Sequence, residues 1–465
     1  MAVIVVNIKF EQLRKKYCNF NYDGYSITRE KDSIKISFDF SINGLCEFHP
    51  ATTIMTDNLD VINCFDSERG RSIAFSLGMV EAVSYWKCVC SENFNIRCGY
   101  INENDKIWWK KLWFNGLSEM FYRNGIESDF NSFVNINCSL ESERINDFLP
   151  FKKSSINIVP IGGGKDSAVT LELLDEIKHM IKGFTVNDQA ARTQCAEVSG
   201  IGVGNVIRTY RTIDKELLNR NSEGFLNGHT PFSAIVAFLS LYCAYLIGAE
   251  NIILSNEASA NESNVFGTEI NHQYSKSYEF EKNFNEYLNA HFDMPVHYFS
   301  ILRPFNELQI AKQFAKFKKY HSVFKSCNVG SKKNIWCCNC AKCLFVYIIL
   351  SPFLSRREIF DIFSCDMLEK ESLLNEFCGL VGFSDVKPFE CIGTVKEVRF
   401  ALDLTLKKYE LAGEKLPVLL DYYKNNINPL PDRENLLCAL NNENNIPQSF
   451  LKYVEEMYRY VSVCG

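Results

Sequence analysis

Apolar and polar residues alternate through Ile34, Ile36, Phe38 and Phe40, the period of a strand with one buried face. Residues 3–10 carry a further apolar run and are expected to form an N-terminal strand. Over residues 108–124 the spacing changes. Leu112, Trp113, Leu117 and Phe121 recur near every 3.6 residues and predict a helix. After a break at Leu149-Pro150-Phe151-Lys152-Lys153, residues 156–161 read as a buried strand and 167–179 as a helix. Short apolar runs at 184–186, 205–208 and 252–254 are the next expected strands. Strands alternating with helices build a doubly wound parallel sheet.

This pattern divides the chain into an N-terminal α+β region (1–150), an α/β region (151–355) and a mostly helical C-terminal region (356–465), with loops near Lys387-Pro388 and Pro429-Leu430-Pro431. Residues 231–249 contain no charge and are long enough to cross a bilayer. They run into Gly248 and at once into the short apolar run Asn251-Ile252-Ile253-Leu254. Helix then buried strand is the rhythm of an α/β domain, so a buried helix and no membrane span is expected.

The 465 residues exceed one simple core, and 46% hydrophobic with 23% charged residues is globular composition. A net charge of -6 and a pI near 5.8 argue against a general nucleic-acid binder. The 19 cysteines are odd in number and scattered, and residues 1–10 lack a signal-peptide layout. Reduced thiols in a cytoplasmic protein are expected. Nothing in the sequence indicates an oligomeric state.

The strongest local signal is Gly162-Gly163-Gly164-Lys165-Asp166-Ser167, set between an expected strand and helix. Glycines let backbone N–H groups approach an anion closely, and a helix N-terminus adds positive potential. Lys165 can neutralise phosphate charge, Asp166 can cap the helix or help hold Mg²⁺, and Ser167 can donate to a phosphate oxygen. Neither the Walker A spacing nor the Rossmann fingerprint fits, because Asp166 follows Lys165 and no third glycine stands at Ser167 or Ala168. The pattern resembles the PP-loop of the ATP pyrophosphatase superfamily, Ser-Gly-Gly-x-Asp-Ser, with Gly162 in place of the first serine. That resemblance implies ATP and an adenine nucleotide α-hydrolase-like fold.

Cys327, Cys337, Cys340 and Cys343 form Cys-x9-Cys-x2-Cys-x2-Cys, with Cys338 spare. Four thiolates so grouped suit a closed structural Zn²⁺ site; unligated thiols or an iron–sulfur cluster are the alternatives. The cluster is similar to the zinc site of the 7-cyano-7-deazaguanine synthases, also PP-loop enzymes.

Five stretches carry a narrower resemblance. They are Gly116-Leu117-Ser118-Glu119-Met120-Phe121-Tyr122-Arg123-Asn124, Asn271-His272-Gln273-Tyr274-Ser275-Lys276-Ser277, the cysteine cluster with Trp336, Leu350-Ser351-Pro352-Phe353-Leu354, and Lys387-Pro388-Phe389-Glu390-Cys391-Ile392-Gly393-Thr394. Together they resemble the ATP-dependent UDP-N-acetylmuramoyl-L-alanyl-L-glutamate epimerases. The resemblance implies a nucleotide-sugar dipeptide substrate, inversion of its terminal L-glutamate, and AMP and pyrophosphate as products.

Asn256 and Glu257 follow the 252–254 strand at the edge where such sheets bind ligands, and Glu257 can share Mg²⁺. His272, Tyr274 and Lys276 form a polar run that can meet the substrate's carboxylates or diphosphate, or be a solvated loop. Cys391 can be an epimerising base or an ordinary buried thiol. The basic run Lys312, Lys316, Lys318, Lys319, Lys325, Lys332 and Lys333 is a solvated face or a surface for an anionic ligand. Two other functions stay open: a PP-loop enzyme acting on another acid, such as a deazapurine, and a non-catalytic ATP-binding module.

Overall fold

The computed structural model describes residues 2–139, 148–265, 267–384, 386–427 and 435–463. It is α/β, with parallel and antiparallel strand pairs and many helices. The expected loop at Pro429-Leu430-Pro431 lies outside the described residues. The strands are β1 (Asn19–Arg29), β2 (Ser33–Ile42), β3 (Cys46–Phe48), β4 (Ala51–Met55), β5 (Asn93–Ile96), β6 (Asn135–Cys138), β7 (Asn157–Pro160), β8 (Ile181–Val186), β9 (Val206–Thr212), β10 (Asn251–Leu254) and β11 (His297–Ser300). The chain forms two compact units. The first comprises Met1–Ile158, Ile207–Ile252 and Ile270–Val296, the second Val159–Val206, Ile253–Glu269 and His297–Gly465.

In the first unit the strands run in the order β9-β4-β2-β1-β5-β6, with β3 also on β2. β2 is antiparallel to β1 and β4, β4 is antiparallel to β9, and β1-β5-β6 are parallel. The alternation read from the sequence is β2, whose Ile34, Ile36, Phe38 and Phe40 are fully buried. Residues 3–10 are helical, within Ala2–Lys16, not a strand. The strong helix formers Glu11-Gln12-Leu13-Arg14-Lys15-Lys16 follow this segment directly, in the same helix. The expected helix over 108–124 divides into Glu103–Gly116 and Ser118–Arg123, hinged at Leu117.

Helix Glu68–Trp86 buries almost its whole length. At Gly78 a Cβ would lie 1.9 Å from the Tyr22 hydroxyl oxygen. Tyr22 is itself fully buried and stacked on Phe75 at 5.6 Å, so it has no room to move. Gly78→Ala is therefore expected to destabilise the protein by about 2–3 kcal/mol, as overpacked cores do. Urea denaturation of the full chain measures it. The uncharged stretch becomes helix Phe232–Ile247, ended by Gly248 in the left-handed conformation. It binds back to earlier chain through Tyr242 Oη to Phe65 O, 2.7 Å, and Tyr245 Oη with Ser67 Oγ, 2.6 Å. Among the described residues no helix is long and apolar enough to cross a membrane.

β11-β10-β7-β8 is the strand order around the glycine loop, with β10 parallel to β7. β7, the earliest of these four in sequence, lies between β8 and β10. The chain thus leaves β7 toward one side first and returns to the other side later. Such a reversal opens a crevice at the strand's carboxyl end. The helix expected over 167–179 is shorter, Lys165–Leu173, followed by a 3-10 turn at Asp175–Met180. The second unit's core is built on Val159, Ile161, Ile253 and Phe299 with the buried helix Ala341–Leu350 and the C-terminal helices.

Candidate functional site

The glycine loop starts where β7 ends. Gly163 has φ +81°, and a Cβ there would meet Ala191 at 3.0 Å, so the turn requires glycine. Its carbonyl accepts from the Lys325 N–H at 2.8 Å. The Gly162 N–H donates to Ser167 Oγ at 2.9 Å, closing the loop on the helix. Gly164 is the N-cap of Lys165–Leu173 and has no side chain to cap it. The first-turn N–H groups and the helix dipole are thus directed at the crevice, the arrangement that receives phosphate.

Lys165 is buried, and its ammonium is ion-paired with Asp166 and Glu307. Burial opposes the Lys165 charge, but the two carboxylates outweigh it and hold its pKa above the ordinary value. Burial pushes the Glu307 carboxyl up, with Asp166 and Glu257 adding to this against the pull of Lys165. The structure therefore sets Lys165 behind Asp166 as its partner.

Glu307 is itself held by a knot that the sequence reading did not single out. Its N–H donates to Glu397 Oε1 at 2.8 Å, where Ser259 Oγ also donates at 2.5 Å. The other oxygen of Glu397 accepts from Thr394 N at 2.5 Å in a capping box. The fully buried Arg303 donates to Glu257 O at 2.8 Å, and Ser300 Oγ to Asn256 O at 2.6 Å. These bonds fix Asn256 and the buried Glu257 just past β10. Within the second unit, Lys165, Asp166 and Glu257 thus gather around Glu307. The missed residues had one legible signal, the Thr394-x-x-Glu397 spacing of a capping box. The others owe their position to tertiary contacts.

Cys391 is half-buried in a loop pinned by two buried lysines. Lys342 donates to the Cys391 carbonyl, and Lys387 pairs with Glu262 at 2.5 Å and donates to Gly393 O at 3.2 Å. The basic run is not one face. Lys318 pairs with Glu358 and Lys319 with Glu172, both at 2.8 Å, while Lys312 donates to Val461 O and Val463 O.

Cys327, Cys337, Cys340 and Cys343 converge, with every Sγ within 4.8 Å of the others and Cys337–Cys343 at 3.7 Å. Sulfurs about 2.3 Å from a tetrahedral Zn²⁺ stand about 3.8 Å apart, so the four thiols fit that ion. A metal held here would take all four sulfurs as thiolates. Cys338 turns away, its Sγ on Phe363 O at 3.3 Å.

In the first unit, His272 Nδ1 lies 2.5 Å from Glu119 Oε2, and Arg123 Nε 2.6 Å from Glu119 Oε1. The His229 ring is 4.1 Å from that of His272. Tyr274 is buried against Phe280 and is not solvated. Lys276 is half-buried in the same segment.

Comparison with known proteins follows the chain nearly end to end. Residues 11–301 match the family model of the MurL N-terminal domain, and residues 321–431 that of the MurL C-terminal domain. A Xanthomonas oryzae pv. oryzae protein named UDP-N-acetyl-alpha-D-muramoyl-L-alanyl-L-glutamate epimerase is 32% identical over 394 residues, 81% of this chain and 84% of the relative. A Micromonospora protein of the same name is 31% identical over 404 residues, 85% of this chain and 88% of the relative. A third of that name, from Salinispora tropica, is 37% identical over 250 residues, 52% of this chain and 54% of the relative. With both domains of one family matched in order, and relatives above 30% identity across four-fifths of the length, the chain belongs to the MurL family.

Proposed function

We propose that this chain is an ATP-dependent epimerase. It inverts the terminal L-glutamate of UDP-N-acetylmuramoyl-L-alanyl-L-glutamate to D-glutamate, with release of AMP and pyrophosphate, in peptidoglycan precursor synthesis. The observation that carries this reading is the 32% identity over 394 residues with a relative named for that epimerisation. The glycine loop supplies a physical reason for ATP.

An α-proton beside a free carboxylate is very weakly acidic, because its removal adds negative charge to an anion. Attack of the carboxylate on the α-phosphate of ATP forms an acyl-adenylate and expels pyrophosphate. The resulting carbonyl can hold an enolate, so a base of ordinary pKa removes the proton. Proton return on the opposite face and hydrolysis of the adenylate leave D-glutamate and AMP.

In this reading the α/β fold is of PP-loop type, supported by the strand–loop–helix unit at the carboxyl end of β7. The N–H groups of Gly162, Gly163 and Gly164 and the start of the helix receive the phosphates, and Ser167 donates to one oxygen. Lys165 holds Asp166 toward the nucleotide, where Asp166 and Glu257 are the carboxylates that take Mg²⁺. Asn256 lines the same edge. Cys327, Cys337, Cys340 and Cys343 hold a structural Zn²⁺. His272 and Lys276 serve the dipeptide. A cytoplasmic location fits the described cysteines, all free thiols.

The test is pyrophosphate release with ATP and Mg²⁺, with and without the dipeptide substrate, together with the configuration of the glutamate formed. Substrate-dependent pyrophosphate with D-glutamate is expected; neither signal would reject the reading. Cys391→Ala separates two roles. If the thiol is an epimerising base, inversion falls by at least about 100-fold with pyrophosphate release kept. Full activity removes Cys391 from the chemistry.

A further inference from the structure

When the α-phosphorus of a nucleotide is attacked, pyrophosphate leaves with added negative charge, and a cation beside the glycine loop stabilises that departure. Lys165, the lysine within the loop, is not placed for it. Its side chain is 3% exposed, and its ammonium is paired with both Asp166 and Glu307. Lys342 is engaged as well, donating to the Cys391 carbonyl while its charge acts on Glu307. The second unit sets another lysine at the loop, just ahead of the cysteine cluster. We infer that Lys325 is the cation that receives the pyrophosphate moiety of the nucleotide, a role that rests on the adenylation reading above.

The backbone holds Lys325 against the loop. Its N–H donates to the Gly163 carbonyl at 2.8 Å. The next residue, Ser326, is so near that a Cβ built on Gly164 would stand 3.4 Å from its own Cβ. Gly164 is the N-cap of Lys165–Leu173, the helix whose positive end receives phosphate. The charge of the side chain is felt here too. Cys195 Sγ lies 3.7 Å from the same Gly163 carbonyl. Burial pushes the Cys195 thiol up to about 12, and the charge of Lys325 pulls against this. The ammonium and the loop therefore share one neighbourhood.

The ammonium is also available. Lys325 is half-buried, and its Nζ donates to Ser322 O and Phe324 O, both at 3.1 Å. An ammonium has three hydrogens. The two in use go to neutral carbonyls within three residues of Lys325, contacts that can be given up without moving another element. Nζ stands 6.0 Å from the Phe324 ring centroid and 5.9 Å from that of Trp336. Among the described residues no carboxylate pairs with it, whereas Lys318 and Lys319 are each paired with a glutamate. A half-buried ammonium without a counter-charge gains more from an anion than a solvated one does.

The step balances without covalent chemistry at Lys325. A carboxylate oxygen of the substrate forms a bond to the α-phosphorus. The bond from that phosphorus to the bridging oxygen breaks, and its electron pair leaves on pyrophosphate. Lys325 compensates part of the charge that leaves and makes no contact with the AMP half. Its loss therefore separates ligands that contain pyrophosphate from those that do not.

The experiment measures binding to the full chain by titration calorimetry, with pyrophosphate, ATP and AMP, each with Mg²⁺. Lys325→Met is expected to weaken pyrophosphate and ATP by about 10- to 100-fold, the worth of a charge-assisted hydrogen bond, with AMP little changed. Lys325→Arg should restore most of the affinity. Lys415→Met removes the same charge from an exposed position in the same unit and should leave all three affinities as they are. Unaltered pyrophosphate affinity in Lys325→Met, or an equal loss for AMP, overturns the inference. Loss of zinc from that variant does so too, because Lys325 would then be balancing the charge of the four thiolates.

A measurement on the unmutated protein guards against a variant that fails to fold. Lysines are acetylated with an amine-reactive reagent and the sites mapped by mass spectrometry. Lys325 should react in the free protein and be protected by pyrophosphate but not by AMP. A Lys325 that is unreactive without ligand, unprotected by pyrophosphate, or protected equally by AMP overturns the inference. If the wild type binds neither ATP nor pyrophosphate, the adenylation reading itself fails. If it binds both and Lys325→Met binds them as well, only the role given to Lys325 fails.

Discussion

Lys165→Met is expected to destabilise the second unit by about 3–5 kcal/mol, since removing one member of a buried ion pair strands the other. The stranded group is Glu307, whose side chain is 2% exposed. Asp166, at 28%, is better served by water. Burial already pushes the Glu307 carboxyl up with Lys165 in place. Without Lys165 it goes higher, and Glu307 takes up a proton to escape the buried charge. The sign of the pH dependence follows. A carboxyl whose folded pKa lies above its unfolded value binds more protons in the folded state, so stability falls as pH rises through the folded pKa. The deficit of Lys165→Met is therefore smaller in acid and larger above neutrality. The double variant Lys165→Met/Glu307→Leu should recover most of the loss, because a well-packed apolar pair is an adequate substitute for a buried ion pair. Urea denaturation at several pH values reads all three results. A pH-independent deficit, or no recovery in the double variant, would show that the pair is not what holds this part of the fold.

An effect at least as large is expected from the cysteine cluster. Structural zinc sites contribute about 10–16 kcal/mol of apparent binding free energy at neutral pH, more than a domain's net stability. Ser at Cys327, Cys337, Cys340 or Cys343 should abolish bound zinc, and a strong chelator should unfold the second unit of the unmodified protein. Cys338→Ser should retain zinc, since Cys338 Sγ points at Phe363 O. Metal analysis with circular dichroism measures both. Zinc retained in Cys343→Ser, or lost in Cys338→Ser, would reverse this assignment of ligands.

What could be read from the sequence was what short-range periodicity and spacing encode. The alternation of Ile34, Ile36, Phe38 and Phe40 located β2 because one face of that strand is buried. The four-cysteine spacing marked out thiols that do converge. The glycine loop was legible because a left-handed turn and a close approach at Gly163 leave a compositional trace. Residues 3–10 misled because an apolar run alone does not distinguish strand from helix. Glu307, Glu397 and Arg303 were invisible for another reason. Each is a polar residue in an ordinary context, and its burial comes from segments dozens of residues away, as in the hydrogen bond from the Glu307 N–H to Glu397. The partnership of His272 with Glu119 spans 153 positions and leaves no local pattern.

The first unit's chain is drawn from three separate stretches, the last ending at Val296. β4 receives its outer neighbour β9 only from residues 206–212, and helix Glu68–Trp86 receives helix Phe232–Ile247 later still. During synthesis, then, the first 158 residues leave the ribosome with a bare strand edge and an unpaired apolar helix face. Such intermediates are slow to complete and prone to aggregate. Cutting the chain after residue 158 to isolate an N-terminal piece would make that transient state permanent, and the product should be insoluble.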